Sequence, residues 1–255
     1  MAMANRFEIR ILLTAILFLV PISGGLTTLV ILQEREKNAM ATYNNGWAAP
    51  TFLGTLIGNV QESLVTIDCK GTNGSGFSFY LDSVDEREGF KYRDSITQEA
   101  NSILITNHHV VDACISDGFA NITIQDETIH KAKIVNTDAA NDLAMLITDV
   151  KISPISGAAW KPAPGFWTMA LGSPHNFAGS VTLGNIINQD SGQVFHTASL
   201  SPGNSGGPLV DNEGYLYGVN TGSKPVGQNF NLSIGVNAFC EKLIACTKST
   251  YWADK

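Results

Sequence analysis

The strongest chemical signal in the sequence is a glycine-rich run around Ser205, which reads Gly-Asn-Ser-Gly-Gly-Pro over residues 203–208. A nucleophilic serine needs its hydroxyl exposed on a tight turn, with backbone N–H groups aimed at the oxyanion that develops on a substrate carbonyl. Glycines permit such a turn and let the carbonyl approach the backbone closely. The run therefore predicts a nucleophile, although an ordinary glycine-rich hairpin has a similar composition.

The same run also fits the Gly-x-Ser-x-Gly pattern of α/β-hydrolases, in which the catalytic histidine follows the serine along the chain. None of the histidines follows Ser205, since they occupy positions 108, 109, 130, 175 and 196. The α/β-hydrolase interpretation therefore fails, and a general base for Ser205 must come from upstream.

Two adjacent histidines, His108 and His109, follow the apolar run 103–105 and are the best candidates for that base. A general base must hydrogen-bond both the serine hydroxyl and a carboxylate that fixes its tautomer. Asp142 directly precedes an apolar run and is expected to lie partly buried at a strand end, whereas Asp138 is expected to be solvated. A turn-forming aspartate is the simpler alternative for either one. The chain order His, Asp, Ser is that of the chymotrypsin arrangement.

The elements that must position these residues are short β-like runs separated by turn signals. Many short strands at near-regular spacing, with no long helices between them, are typical of barrels or a sandwich. Asn237–Lys248 is the one segment with convincing helical periodicity, and Asp82–Ala100 is expected to be a long exposed loop. The predicted strands cover residues 63–69, 76–81, 102–106, 120–125, 132–135, 143–147, 166–171, 180–187, 193–198, 208–210, 215–220 and 232–235.

Taken together, these segments resemble the chymotrypsin-fold serine proteases, and most closely their Deg/Htr (high-temperature-requirement) branch. The resemblance covers about residues 50 to 245 and implies an all-β fold of two six-stranded antiparallel β-barrels, with the active site in the cleft between them. The matching blocks are Gly-Ser-Gly-Phe (74–77), Thr-Asn-His-His-Val-Val (106–111), Asp-Leu-Ala (142–144), Ala-Leu-Gly-Ser-Pro (170–174), Val-Thr-Leu-Gly-Asn-Ile (181–186) and Ser-Pro-Gly-Asn-Ser-Gly-Gly-Pro (201–208).

The resemblance also assigns catalytic roles to single residues. In the family block the catalytic histidine directly precedes Val-Val, which points to His109 as the base, Asp142 as the residue that orients it and Ser205 as the nucleophile. The N–H groups of Gly203 and Ser205 would form the oxyanion hole. The implied activity is that of a serine endopeptidase acting on protein or peptide substrates through an acyl-enzyme, with no metal or organic cofactor.

Substrate preference can be read in the same way. Ser199, six residues before the nucleophile, would lie at the base of the primary specificity pocket. Because it is not an aspartate, a strong demand for Lys or Arg at the cleavage site is not expected. Leu200 and Ile234 indicate a preference for small or medium apolar residues.

The four cysteines permit disulfides but do not fix their pairing. Free buried thiols are the alternative. Cys240 and Cys246 fall in the predicted helix, where six residues span about 9 Å, too far for a bridge unless the helix ends between them. In the fold that the resemblance implies, Cys69 and Cys114 both lie near the loop of the catalytic histidine, and a bridge between them would brace it.

The amino-terminal part of the chain predicts a membrane anchor. Ile11–Leu32 runs for 22 residues without a formal charge, which is long enough for a transmembrane helix. A cleaved signal peptide is the alternative, with its apolar part over 11–20 and small residues after it. We favour the uncut single-pass anchor, with the catalytic part on the outer (periplasmic or extracytoplasmic) side of the membrane.

The predicted organisation then has five parts: a tail and anchor over 1–32, a linker over 33–50, a first barrel over 51–155, a second barrel over 156–236, and a helix and tail over 237–255. The net charge of −7 argues against a nucleic-acid partner. Few residues follow the predicted helix, so the PDZ domain usual in the Deg/Htr branch is not expected. Trimers are common in that branch, and a homo-oligomer is compatible with the resemblance. A protease-like, catalytically weak or inactive scaffold tethered to the membrane is the alternative function.

Overall fold

The computed structural model describes residues 45–80, 100–158, 161–173, 177–223, 230–244 and 246. The predicted membrane segment Ile11–Leu32 and nearly all of the predicted loop Asp82–Ala100 lie outside these residues. In the part of the chain that is described, no helix combines the length and the apolar character needed to cross a membrane.

The first half of the described fold is a closed antiparallel barrel with the strand order β1-β2-β3-β6-β5-β4. Strand β6 has the continuous apolar run that burial on both faces requires. Its residues Ala144 and Leu146 pack inside this barrel, whereas Leu143, Met145 and Ile147 belong to the cluster shared with the second half. The strands are β1 Leu64–Cys69, β2 Thr72–Ser78, β3 Ser102–Thr106, β4 Phe119–Thr123, β5 Ile129–Asp138 and β6 Leu143–Thr148.

The second half is another closed antiparallel barrel, with the strand order β10-β11-β12-β9-β8-β7. Closure leaves neither barrel with an unpaired strand edge. The predicted pair of six-stranded barrels is therefore confirmed, and each predicted strand overlaps one that the structure contains. The strands are β7 Trp167–Gly172, β8 Ser180–Asp190, β9 Gln193–His196, β10 Pro208–Val210, β11 Leu216–Ser223 and β12 Asn231–Gly235.

A helix before the first strand corrects the sequence analysis. Helix α1, Leu53–Gln61, lies where no helix was predicted, so Asn237–Lys248 is not the one helical segment. Leu56 and Val60 are buried in the large apolar cluster, with Leu53 and Ile57 packed against it. These four side chains fall at the i, i+3, i+4 and i+7 spacing of one helix face.

The carboxyl-terminal helix is present but shorter than predicted. Helix α3, Val236–Phe239, continues as a π-helix over Cys240–Ile244 and ends there, whereas the prediction ran to Lys248. The N–H of Cys246 donates to the Cys240 carbonyl at 3.2 Å, which turns the chain back at the helix end. The Cα atoms of the two cysteines are consequently 4.9 Å apart and a disulfide joins them. The separation of about 9 Å expected for a continuous helix does not occur.

The second disulfide joins Cys69, at the end of β1, to Cys114, whose Cα atom is 5.7 Å away. Cys114 ends a 3₁₀ turn, Asp112–Cys114, which directly follows the one-turn helix α2, His108–Val111. The bridge therefore ties the segment that carries both histidines to the wall of the first barrel, as the resemblance implied.

Candidate active site

Helix α2 presents His109 at the surface because its apolar residues anchor it from below. Val110 and Val111 are buried, and Val110 packs so closely on Gly74 that a Cβ atom there would lie 2.6 Å from it. The His109 side chain is half exposed, with 49% of its surface accessible. His108 points elsewhere, with its Nε2 atom 3.9 Å from Asp112 Oδ1. The structure therefore separates the two adjacent histidines, and it is His109 that lies beside Asp142.

Asp142 lies in the turn before β6, in the left-handed region at φ 54°. Asparagine and aspartate are enriched in that region among residues other than glycine. His109 donates to Asp142 twice, from its backbone N at 3.0 Å and from its ring Nδ1 at 2.9 Å. Thr221 in β11 donates its hydroxyl to Asp142 Oδ2 at 2.7 Å. Three donors thus converge on one carboxylate at the junction of the two barrels.

These contacts set the protonation state of the pair. Partial burial raises the pKa of Asp142, but the hydrogen bonds from His109 and Thr221 outweigh burial and lower that pKa below its usual value. An ionised carboxylate only accepts hydrogen bonds, so the proton of the neutral His109 ring lies on Nδ1 and the lone pair on Nε2. Asp138, the other candidate, instead accepts hydrogen bonds from the backbone and side-chain amides of Asn141.

Ser205 lies in the loop between β9 and β10, where glycines allow very close backbone packing. Gly206 has φ 85°, and a Cβ atom there would lie 2.1 Å from the carbonyl oxygen of Ser75. A Cβ atom at Gly207 would lie equally close, 2.1 Å, to the carbonyl oxygen of Leu171. Neither position can hold a side chain without moving backbone, which explains why the glycines flank the serine.

The backbone N–H groups of this loop divide into two kinds. Those of Asn204, Gly206 and Gly207 donate to the carbonyls of Ser201, Asn220 and Asn204 at 2.9, 2.8 and 3.0 Å, respectively. Among the described residues, no acceptor pairs with the N–H groups of Gly203 and Ser205. These two groups are the ones that the resemblance assigned to an oxyanion hole, and they are available to an incoming oxyanion.

The Ser205 hydroxyl donates to the carbonyl of Thr221 at 3.3 Å. Within the described residues no hydrogen bond joins it to the His109 ring. The structure thus brings His109 and Asp142 into direct contact. The Ser205 hydroxyl is instead hydrogen-bonded to a backbone carbonyl of strand β11.

A cavity of about 280 Å³ opens beside Ser205 and is lined by Leu200, Ser201, Pro202 and Gly222. Of the three predicted specificity residues, Leu200 lines this cavity, and Ser199 and Ile234 are not among its lining residues. Ser199 is exposed and its carbonyl accepts a hydrogen bond from Thr182 at 2.8 Å. Ile234 is buried in β12, opposite Val219 of β11.

A buried polar chain beneath the Ser205 loop was not found from the sequence. Asn220 donates its side-chain amide to the carbonyls of Leu171 and Pro208, both at 3.1 Å, and accepts from Ser233 Oγ at 2.9 Å. Because the Ser233 hydrogen is used there, His196 Nε2 donates to Ser233 Oγ, at 3.0 Å. Burial lowers the pKa of His196 to about 4, so the ring is neutral near pH 7.

Thr221 is a second residue of the site that sequence reasoning missed. It is 79 residues from Asp142 in the chain, and nothing local to it indicates a role. Asn220 and Ser233 likewise read as ordinary strand residues.

Comparison with known proteins gives consistent similarities. A model of the trypsin-like peptidase domain matches residues 89–219. The mitochondrial serine protease HTRA2 of Drosophila grimshawi is 29% identical, and the match covers 96% of this chain and 60% of that protein. A probable periplasmic serine endoprotease, DegP-like, of Chlamydia muridarum is 33% identical over 46% of this chain and 25% of its own length.

A solved structure is similar as well. The serine endoprotease from Yersinia pestis superposes with a TM-score of 0.61 at 26% identity, covering 76% of this chain and 66% of that one. The chain spans less than two thirds of the length of the two relatives named above. The predicted resemblance to the Deg/Htr proteases is confirmed by these matches.

Proposed function

Because the chain belongs to the family of trypsin-like peptidase domains, we propose that it is a serine endopeptidase in which Ser205 is the nucleophile, His109 the general base and Asp142 the residue that orients the base. The observation that carries the proposal is the direct contact between Asp142 and His109, with Nδ1 2.9 Å from the carboxylate. That contact directs the lone pair of Nε2 away from Asp142, where it can accept a proton from a nucleophile.

The reaction proceeds through an acyl-enzyme. The Ser205 hydroxyl turns away from the Thr221 carbonyl and attacks the substrate carbonyl carbon, while His109 Nε2 takes its proton and Asp142 stabilises the resulting imidazolium. The N–H groups of Gly203 and Ser205 stabilise the oxyanion, each contributing about 3 kcal/mol. His109 then protonates the leaving amine and activates the water that hydrolyses the ester.

The cavity beside Ser205 supports an apolar preference at the cleavage site. The described residues that line it carry no charge and would not neutralise a Lys or Arg side chain. A cavity of about 280 Å³ with Leu200 on its wall accommodates a small or medium apolar residue. Turnover of a fluorogenic peptide panel tests the preference, and faster cleavage after Arg than after Val or Ala would refute it.

One observation favours a second function, that of a protease-like scaffold. The Ser205 hydroxyl donates a hydrogen bond to the Thr221 carbonyl at 3.3 Å and not to His109. If the hydroxyl can rotate towards His109, the protein can act as a peptidase. If it stays on the Thr221 carbonyl, the serine is not activated and the protein is a scaffold. Labelling with a fluorophosphonate probe separates the two functions, because the probe reacts only with an activated serine.

The labelling experiment compares wild type with Ser205→Ala and with Ser116→Ala, which removes an exposed serine of the first barrel that bonds Asp117. For a peptidase, wild type and Ser116→Ala are labelled and Ser205→Ala is not. If wild type stays unlabelled at every pH from about 5 to 9, the result supports the scaffold, because Ser205 is then not activated under any of these conditions.

We also propose that Ile11–Leu32 anchors the protein in a membrane, with the peptidase on the outer side. The uncharged length of that segment supports an anchor. The disulfides Cys69–Cys114 and Cys240–Cys246 support an oxidising compartment for the barrels. Extraction with alkaline carbonate and amino-terminal sequencing test the proposal, and a soluble form that starts after residue 25 would show that a signal peptide was removed instead. Light scattering in detergent would determine whether the protein forms a homo-oligomer.

A further inference from the structure

Ser75, in β2 of the first barrel, is fully buried and uses every polar atom it has. Its hydroxyl donates to the carbonyl of Gly203 at 2.7 Å and accepts from the N–H of Ser173 at 2.8 Å. Its own N–H donates to the carbonyl of Ser205 at 2.8 Å. Its carbonyl accepts from the hydroxyl of Thr106 at 2.6 Å. One residue of the first barrel thus contacts the nucleophile loop of the second barrel at two points.

The direction of the Ser75 hydroxyl hydrogen follows from these contacts. A serine hydroxyl carries a single hydrogen, and the Ser173 N–H already occupies one of its lone pairs. The hydrogen therefore goes to the Gly203 carbonyl. The hydroxyl of Thr66 donates to Ser173 Oγ at 2.8 Å, a further contact between the barrels at this point.

The two carbonyls that Ser75 holds belong to Gly203 and Ser205, whose N–H groups have no acceptor within the described part of the chain. The peptide unit after Gly203 is held at both ends, its carbonyl by Ser75 and its N–H by Ser201. The peptide unit after Ser205 is also held at both ends, its carbonyl by Ser75 and its N–H by Asn220. Rotation of the loop about either unit would break one of these bonds.

Gly203 is the position where such a hold matters most. It has φ 101°, a conformation open to glycine and almost closed to other residues. A glycine also adopts other backbone conformations readily, so its own backbone does not fix the peptide units on either side of it. The Ser75 hydroxyl fixes the peptide unit after Gly203, and this unit meets the unit that carries the Gly203 N–H at the Gly203 Cα atom.

We propose that Ser75 is a positioning residue for the proposed peptidase reaction: from the first barrel, its hydroxyl holds the Gly203 carbonyl so that the Gly203 N–H stays directed at the oxyanion. The inference rests on the proposed function and extends it to a residue that touches neither substrate nor the reacting atoms. It also gives the packing of the two barrels a direct effect on the reaction.

The test compares Ser75→Ala with a matched control, Ser78→Ala. Ser78 is a buried serine of the same strand whose hydroxyl donates to the carbonyl of Ile152 at 3.3 Å, within the first barrel. For Ser75→Ala we expect kcat to fall roughly 10- to 100-fold, less than the loss of an oxyanion donor itself, with KM changed less than about threefold. Ser78→Ala should keep kcat within about twofold of wild type, and thermal unfolding of both variants measures their loss of stability.

A second readout separates positioning from stability. A peptide aldehyde forms a hemiacetal that places an oxygen in the oxyanion hole, whereas the product peptide with the new amino terminus has no scissile carbonyl and places none there. For Ser75→Ala the inhibition constant of the aldehyde should rise roughly as kcat falls, while that of the product peptide stays within about threefold. Ser75→Cys, which keeps the side chain's size but donates only weakly, should act in the same direction if Ser75→Ala does not fold.

The outcomes keep the two proposals apart. No turnover by wild type would refute the proposed function itself. Turnover by wild type with a kcat for Ser75→Ala within about twofold of it would overturn the positioning role and leave the peptidase intact. A change confined to KM, or an equal loss of affinity for aldehyde and product, would also overturn it.

Discussion

The two barrels hold their shares of the proposed catalytic residues in different ways. The first barrel supplies His109 from just after β3 and Asp142 from just before β6. These two strands pair with each other, and Thr106 lies opposite Ala144. Strand pairing alone therefore brings the two side chains together, and they bond directly at 2.9 Å. The second barrel supplies Ser205 on a loop whose carbonyls are held by Ser75 of the other barrel.

The difference shows which parts of the site depend on which contacts. The acid–base pair is assembled by contacts within one barrel and needs the second barrel only for the Thr221 hydrogen bond. The nucleophile loop needs contacts from both barrels to keep its N–H groups in place. Changes at His109, Asp142 or Thr221 should therefore act on proton transfer, and changes at the contacts between Ser75 and the nucleophile loop should act on the oxyanion.

The largest expected effect comes from Asp142→Asn. Asparagine tolerates the positive φ of 54° at this position, so the turn should survive the change. An amide has one acceptor oxygen, whereas Asp142 accepts from the His109 ring, the His109 backbone and Thr221. The His109 ring would lose the partner that fixes its tautomer, and we expect kcat to fall about 10⁴-fold with little change in KM.

Steady-state kinetics with a fluorogenic peptide measures this effect. Asp138→Asn is the matched control, because among the described residues its carboxylate accepts hydrogen bonds from Asn141 in the neighbouring turn alone, so kcat should stay within about twofold. Equal activity of wild type and Asp142→Asn would show that the acid–base pair is not the one that the first barrel assembles.

The two disulfides allow the two halves of the fold to be compared by how much each bridge contributes to the free energy of unfolding. Cys69–Cys114 closes a loop of 45 residues in the first barrel, and Cys240–Cys246 closes one of 6 residues at the carboxyl-terminal helix. In the chain-entropy account, loops of these lengths contribute about 4 and about 2 kcal/mol to the free energy of unfolding. Replacing each pair by two alanines and unfolding both variants in urea measures the difference, and a larger loss from the shorter loop would contradict the prediction.

The proposed triad could be named from the sequence because residue types, chain order and the family resemblance narrow the choice. No histidine follows Ser205, the apolar run of β6 favours Asp142, and the resemblance points to His109 through the Val-Val pair that follows it. The strands were predictable for a related reason, since turn residues punctuate apolar runs throughout. Both kinds of signal depend on residues that are close together in the sequence, so they can be recognised without a structure.

What could not be predicted depends on contacts between distant residues. Helix α1 contains Gly54, Thr55 and Gly58, which are poor helix formers, so packing of Leu56 and Val60 must stabilise it. The Gly203 carbonyl that Ser75 holds lies 128 residues further along the chain, and no spacing rule connects the two residues. The Cys240–Cys246 bridge depended on where the helix ends, which short-range patterns locate poorly.

Two buried titratable side chains of the second barrel should make the stability of the protein depend on pH. Burial lowers the pKa of His196 from 6.5 to about 4. The unfolded chain therefore takes up this proton as pH falls below 6.5, while the folded protein does not until about pH 4. Stability is lost over that range, by up to about 3 kcal/mol. Burial also raises the pKa of Asp211, from 3.8 to about 7, which stabilises the fold as pH falls from 7 towards 3.8 and opposes the first effect.

Because the two groups act in opposite directions, the measurement must compare variants rather than follow wild type alone. His196→Gln keeps a donor for Ser233 and removes the titration, so its stability relative to wild type should improve as pH falls from 6.5 to 4.5. Asp211→Asn should show the opposite trend in the same urea titrations. A His196→Gln difference that is constant with pH would show that His196 is not held neutral.

The smallest expected effect sharpens the comparison, because Thr221 is the point where the second barrel reaches the acid–base pair. Thr221→Val keeps the shape of the side chain and removes the hydroxyl that donates to Asp142 at 2.7 Å. A hydrogen bond to a charged group contributes about 1.5 kcal/mol or more, so kcat should fall roughly 10-fold, and Thr221→Ser should restore it. The same substitution in the Asp142→Asn background should cost almost nothing, because the carboxylate that it serves is gone. If the two losses instead multiply, the Thr221 hydroxyl acts independently of the Asp142 carboxylate, and the second barrel does not influence the base through this hydrogen bond.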